Sequence, residues 1–174
     1  MTLGLTRGLV ALADHDVSWR DEFLAEREIL GAALAEFGCE IEHVGSTAGP
    51  GIPAKPILDI ALGCPPQTDP ASLKEPLEAL GYLYRGDFGD SGGHLFVRGT
   101  ETVRTHHLHV VALGGEQWTA YLAFRDHLRS DAESRELYAA EKRKLARRFK
   151  DDRQSYTDSK APTVRQLLFK ARSA

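Results

Sequence analysis

The chain has 174 residues, of which 42% are hydrophobic and 27% charged. That suffices for one domain around a single core and is ordinary for a soluble globular protein. A formal charge of −3 gives no basic field for nucleic acid, and no apolar run reaches the length of a membrane span.

The opening MTLGLTRGLVALADHD lacks the apolar core and cleavage pattern of a secretion signal. Cys39 and Cys64 lie far apart in sequence and match no metal spacing; they read as buried free thiols, from which a cytoplasmic location is expected. No repeat or composition break divides the chain. The expectation is a single domain with an N-terminal arm over 1–17, a sheet-containing core over about 19–113 and a helical part over about 115–173.

Taken in order, the arm ends at Val17, and Ser18 with Asp21 has the spacing of a capping box. Phe23, Leu30, Leu34 and Phe37 then share a helical face, and Gly38 suits a left-handed cap. Cys39 to Val44 alternates as a strand, with Cys39, Ile41 and His43 on one side and Glu40 and Glu42 on the other. GSTAGPGIPAKP is a turn too rich in glycine and proline for a long helix. Ile57 to Leu62 is apolar on both faces apart from Asp59, as a central strand is.

Asp69-Pro70 can cap a helix carrying Leu73, Leu77 and Leu80, although Pro76 falls inside that pattern; a cap at Ser72 with Glu75 is the alternative. Tyr82 to Tyr84 suggests a short strand, and Gly86 to Gly93 a flap-like loop. His94 to Arg98 and Val103 to Leu113 read as a hairpin around GTET, with His107, His109 and Val111 on one face and His106, Leu108 and Val110 on the other. From Gly115 the chain is helical. Trp118, Tyr121, Leu122, Arg125 and Leu128 form a stripe; Ser130 with Glu133 suggests another capping box; a last helix is expected from about Pro162 to Ala171. The fold class that follows is α+β, a mixed sheet with helices packed on it and a C-terminal helical part.

Several residues carry chemistry. Gly45 lets the backbone turn sharply after the first strand so that amides, with the hydroxyls of Ser46 and Thr47 and the charge of Lys55, can face an anion. A turn capped by a serine is the bland alternative. Asp59, inside an apolar strand, needs a metal, a cationic partner or a salt bridge to Lys55 or Arg104. His107 and His109 share a face and suit a metal set with Asp59 or a general base, His109 being the candidate for catalysis beside Asp59; a hydrogen-bonded core histidine is the competing reading. His43 can join either role, and His106 should point away. Arg125, on an apolar stripe, is an internal ion-pair partner or a phosphate clamp. Tyr138, Lys142, Tyr156 and Lys160 are weaker candidates, Lys142 and Lys160 for phosphate.

IEHVGSTAGPGIPAKPILDIAL, THHLHVV, FRDHLR, Tyr138 with Lys142, and YTDSK resemble the GrpB family over about Trp19 to Lys170. That family is similar in fold to the nucleotidyltransferases, and some relatives are fused to dephospho-CoA kinase. The resemblance implies that Gly45 and Ser46 face a nucleotide phosphate and that Asp59 binds a metal. It also implies a departure: nucleotidyltransferases usually carry a second acid where Ala61 stands, and the later strand offers His107 and His109 where they carry a third. One metal held by Asp59 and histidines then favours zinc, manganese or a similar ion over paired magnesium. The expected function is a metal-dependent nucleotidyltransferase-type enzyme taking a nucleotide or other phosphorylated small molecule, with magnesium, manganese or zinc. The alternatives are an inactive nucleotide- or coenzyme A-binding module and a metal-dependent phosphoester hydrolase.

Overall fold

A computed structural model describes residues 3–89 and 93–173. Its elements run β1 (Leu5–Thr6), α1 (Ser18–Ala33), β2 (Glu40–Val44), β3 (Leu58–Cys64), α2 (Lys74–Ala79), β4 (Leu83–Asp87), β5 (His94–Gly99), β6 (Val103–Ala112), α3 (Glu116–Ser130), α4 (Ala132–Arg148) and α5 (Arg153–Ser173). Five strands lie in the order β2-β3-β6-β5-β4, and β1 pairs with β6 beyond that path. β3 and β6 run parallel; the other pairs are antiparallel. The mixed sheet with helices is the α+β class expected.

Strand alternation sorts the sheet into two faces. Leu58, Ile60, Leu62, Leu108 and Val110 join Trp19, Phe23 and Leu30 of α1 and Leu77 of α2 in the main core. Val44, Ala61 and Val111 face the other way and meet Trp118 of α3. Gly63 makes that contact feasible, because a Cβ there would lie 2.6 Å from the Trp118 ring. A third cluster ties α3, α4 and α5 together through Phe124, Leu128, Tyr138 and Leu167.

Several local expectations are corrected. The cysteines form a disulfide, Cys39–Cys64, across a Cα separation of 4.3 Å. The register pairs Glu40 with Gly63, so the next residues out on β2 and β3 face each other. The free-thiol basis for a cytoplasmic location falls with this; what holds is that no described helix is long and apolar enough to cross a membrane. Ser18 is the first residue of α1 and not its cap: Val17 precedes it without a side-chain cap, and Asp16 Oδ1 accepts the Ser18 N–H at 2.9 Å. The cap of α4 is Asp131, accepting the Ser134 N–H at 2.6 Å; the Ser130 hydroxyl instead donates back to the carbonyls of Asp126 and His127.

Asp69 does cap its helix, accepting the Ala71 N–H at 2.9 Å. A 3-10 turn over Pro70–Leu73 precedes α2, which places Pro76 in the first turn of α2, where an amide hydrogen has no helical acceptor. The strand expected over Tyr82 to Tyr84 is Leu83–Asp87. Of the flap expected over Gly86 to Gly93, Gly86 and Asp87 belong to β4, and 90–92 lie outside the described residues. α5 begins at Arg153 and carries Pro162 inside it. Its cap is Asp152, which accepts from the Ser155 amide at 3.0 Å. The arm is tied down by β1, by a bridge between Ala13 and Ala54 and by buried Val10.

Candidate functional site

The end of β2 and the start of β3 are one place, because Val44 pairs with Asp59. Gly45 follows with φ +69°, and a Cβ there would lie 2.8 Å from Asp59 Oδ2 and 2.9 Å from its Cβ. Glycine is therefore required twice, by the left-handed backbone and by the carboxylate pressed against it. Ser46–Ala48 form a 3-10 turn beyond it, and Ser46 Oγ lies 3.4 Å from the Tyr138 hydroxyl on α4.

Asp59 is 32% exposed at its side chain, so the carboxylate reaches solvent. Burial alone would raise its pKa, but hydrogen bonds from His107 and His109, and the charge either ring carries when protonated, outweigh that and hold it well below the ordinary carboxylate value. His107 sits beside it on β6, with Nδ1 2.9 Å from Asp59 Oδ1. Arg153 Nη2 donates to His107 Nε2 at 3.2 Å. Since an arginine only donates, Nε2 is the acceptor and Nδ1 carries the proton that Asp59 accepts. Burial lowers the His107 pKa and the Asp59 carboxylate only partly offsets it, so the ring is neutral, as this chain of bonds requires. His109 Nε2 stands 3.9 Å from Asp59 Oδ1, and its ring packs on Tyr121 of α3 at 5.3 Å.

Around this acid the charges are cationic. Lys55 and Lys160 each place Nζ 5.6 Å from the centre of the Tyr156 ring. Lys142 Nζ stands 5.2 Å from the Tyr138 ring and is 2% exposed. Burial, then repulsion from Lys160 and Lys55, drives the Lys142 pKa well below the usual lysine value. Burial, with Arg153 and Lys160, pushes Lys55 down to about 8. Lys160 moves the other way, raised chiefly by Tyr138 against the effect of burial. The Tyr156 hydroxyl is fully buried without a hydrogen-bond partner, and burial pushes its pKa up to about 12. Among the described residues, no carboxylate lies within ion-pair distance of Lys55, Lys142, Lys160 or Arg153.

Of the residues singled out in the sequence, Gly45, Ser46, Lys55, Asp59, His107, His109, Lys142 and Lys160 converge here. Two do not. Thr47 is buried and its Oγ1 lies 2.9 Å from His43 Nε2. His43 stacks on Phe23 at 4.7 Å on the α1 face, and burial lowers its pKa to about 4. Arg125 donates to Glu42, Asp126 and the His43 carbonyl, which makes it a strut between α3 and β2. His106 faces away, as expected, toward Glu26 and Arg98. Arg153 was missed, and the signal for it was faint. Arg153, Tyr156 and Lys160 recur at i, i+3 and i+7, one helical face, provided the helix is started before Pro162.

As for a metal, no three described His, Cys, Asp or Glu side chains converge as a metal cluster does. Both nitrogens of His107 are engaged, which leaves Asp59 Oδ2 and His109 as the donors open to an ion.

A family described as GrpB protein matches residues 9–170. A UPF0157 protein of Pseudomonas aeruginosa is 45% identical over 91% of this chain and 66% of its own length, so the chain spans about two thirds of that relative. The glutamate-rich protein GrpB of Alkalihalophilus pseudofirmus is 33% identical over 95% of this chain and 98% of its own. Among solved structures, the conserved protein GrpB from Enterococcus faecalis superposes with a TM-score of 0.83 at 30% identity, over 92% of this chain and 96% of that one. The Cid1 poly(U) polymerase superposes with a TM-score of 0.55 at 13% identity, over 85% of this chain and 49% of that one. That second likeness is one of fold.

Proposed function

This chain belongs to the GrpB family, and on that premise we propose that it binds a nucleotide or other phosphate-bearing small molecule against the Gly45–Ser46 turn and acts on it as a nucleotidyltransferase-type enzyme. One observation carries the reading. The Gly45 turn leaves no room for a Cβ beside the Asp59 carboxylate, while buried Lys142 and its neighbours Lys55, Lys160 and Arg153 face that acid without carboxylate partners among the described residues. A buried cation is costly without a counter-charge, and the phosphates of a ligand supply one. The polymerase of similar fold is described with magnesium and 3'-dATP bound and with UTP selectivity, which agrees with a nucleotide.

In this reading, the turn amides and Ser46 hold phosphate oxygens, and Lys55, Lys142 and Lys160 neutralise them. Catalysis is positioning and charge neutralisation. A divalent ion supplies Lewis-acid charge at the phosphates. Asp59 Oδ2 and His109 would hold it; with so few protein donors, magnesium or manganese carried in with the phosphates fits better than zinc in a closed protein cage. Thr47 and Arg125, committed to His43 and to Glu42 with Asp126, take no part.

Melting temperature measured with each nucleoside triphosphate and magnesium, manganese or zinc is expected to rise for at least one pair. Asp59→Asn should remove the ion-dependent part of the rise. An unchanged melting curve across every combination overturns the reading.

A binding module without transfer chemistry is the second reading, and Ala61 favours it: the position that would aim a second acid at the site is an alanine packed under Trp118. Product analysis after long incubation with triphosphate and metal separates the two. Binding with no turnover supports the module, and any nucleotidyl adduct excludes it.

A further inference from the structure

Behind Lys55, away from Asp59, lies a second and smaller concentration of positive charge. Arg104 on β6 pairs with Leu5 of the arm and is only 4% exposed. Its Nη1 is buried without a hydrogen-bond partner. It lies against Arg7, Lys55 and Arg153, walled by Leu5 and Ile57, in a gap too tight in this conformation to admit a water. Burial, then Arg85, Arg7 and Arg153, lowers its pKa, and every charge acting on it is of its own sign. Among the described residues, none of Arg7, Lys55, Arg85, Arg104 and Arg153 forms an ion pair.

The same sheet shows what a matched buried arginine partner set looks like. Glu26, 3% exposed, receives both Arg98 Nη1 and Nη2 at 2.8 and 2.6 Å. Arg104 is the more buried arginine and has no such acid. A planar guanidinium with a free N–H edge, ringed by further cations, is complementary to a multiply charged oxyanion. Room for one requires the exposed Arg7 side chain on the arm to move aside, since Arg153 is held by His107.

We propose that Arg104, with Arg7, Lys55 and Arg153, forms an oxyanion subsite that takes a phosphate group, separate from the turn at Gly45. Arg153 also holds His107, and Lys55 also faces Asp59, so the subsite adjoins the site above. It does not depend on that site performing transfer.

The test follows melting temperature against inorganic phosphate, with chloride at matched ionic strength as control. Wild type should rise by several degrees in phosphate relative to chloride. Arg104→Met should melt no lower than wild type in phosphate-free buffer, because an unmatched buried charge is gone, and should lose the rise. Arg7→Gln, on the exposed arm, should fold normally and need roughly five- to tenfold more phosphate for the same rise, which decides the matter should Arg104→Met fail to fold. Lys142→Met and Asp59→Asn should both keep the Arg104-dependent rise, so failure of the nucleotide reading leaves this one standing. A phosphate response absent in wild type, or retained in both arginine variants, overturns the proposal. Competition between saturating phosphate and a nucleoside triphosphate identifies the group as a phosphate of that ligand; additive shifts identify free phosphate.

Discussion

The two faces of the sheet handle buried charge in opposite ways. On the α1 side, Glu26 is enclosed, and its carboxylate accepts from the Tyr82 hydroxyl at 2.7 Å and from both Nη atoms of Arg98. His106 stands beside them, lowered by burial and then by Arg98 to about 3, and so neutral. Acid, base and hydroxyl close on one another. On the α3 side, among the described residues, Asp59 is the one acid amid Lys55, Lys142, Lys160 and Arg153, and its close hydrogen bond goes to a neutral histidine. A closed set of charges stabilises the fold and asks for nothing further. An open set costs stability until something from solution completes it. The contrast separates scaffold from site more sharply than residue type does, since both faces carry histidine, arginine, tyrosine and a carboxylate.

The largest expected effect lies on the closed face. Glu26→Ala leaves Arg98 and the Tyr82 hydroxyl without their acceptor and should destabilise by about 3–5 kcal/mol in urea unfolding, with no change in ligand affinity. A loss under about 1 kcal/mol would show that this network is not closed in the sense argued. Next comes Cys39–Cys64, which borders the same core and closes a loop with a sequence separation of 25. Reduction should cost about 3.5 kcal/mol by the loop-entropy relation, read as a lower urea midpoint in reductant that Cys39→Ser with Cys64→Ser reproduces.

On the open face the effects are smaller and reversed in sign. Lys55 has a pKa of about 8 in the free protein, below its unfolded value. The folded state therefore sheds its proton first, and stability contributed by this group rises with pH between about 8 and the ordinary lysine range. Anion binding needs the charge, so phosphate affinity should fall by up to tenfold per pH unit above about 8, measured by titration calorimetry. A flat profile would detach Lys55 from the ligand. The smallest change expected is Lys142→Met. Removing an unmatched buried cation should leave stability within about 1 kcal/mol of wild type, or raise it, while weakening triphosphate binding. A large destabilisation would place Lys142 among the scaffold residues and close the open set.

Much of the local structure was legible because it depends on neighbours in sequence. The alternation around His107, the turn at Gly45 and the cap at Asp69 are short-range patterns, and all three stand. The failures are of two kinds. Where two cap residues competed at neighbouring positions, as at Asp131 against Ser130, propensity could not rank them, because helix ends are set by which amide each oxygen meets. Pro162 reads in sequence as a helix start and instead lies inside a helix, held by the packing of Val164 and Leu167 against α3 and α4.

The sequence alone determined that a glycine-led turn precedes a strand with one acid, that histidines alternate on a later strand, and that lysines and tyrosines follow on helices. Those statements need only the periods of strand and helix. It could not determine which of these groups meet. That Val44 lies opposite Asp59, that Cys39 reaches Cys64, that Arg153 closes on His107 from a different helix, and that Thr47 and Arg125 turn away are matters of register and packing between segments far apart in the chain. Side-chain identity limits what each group can do, and only the paired strands and docked helices choose its partner.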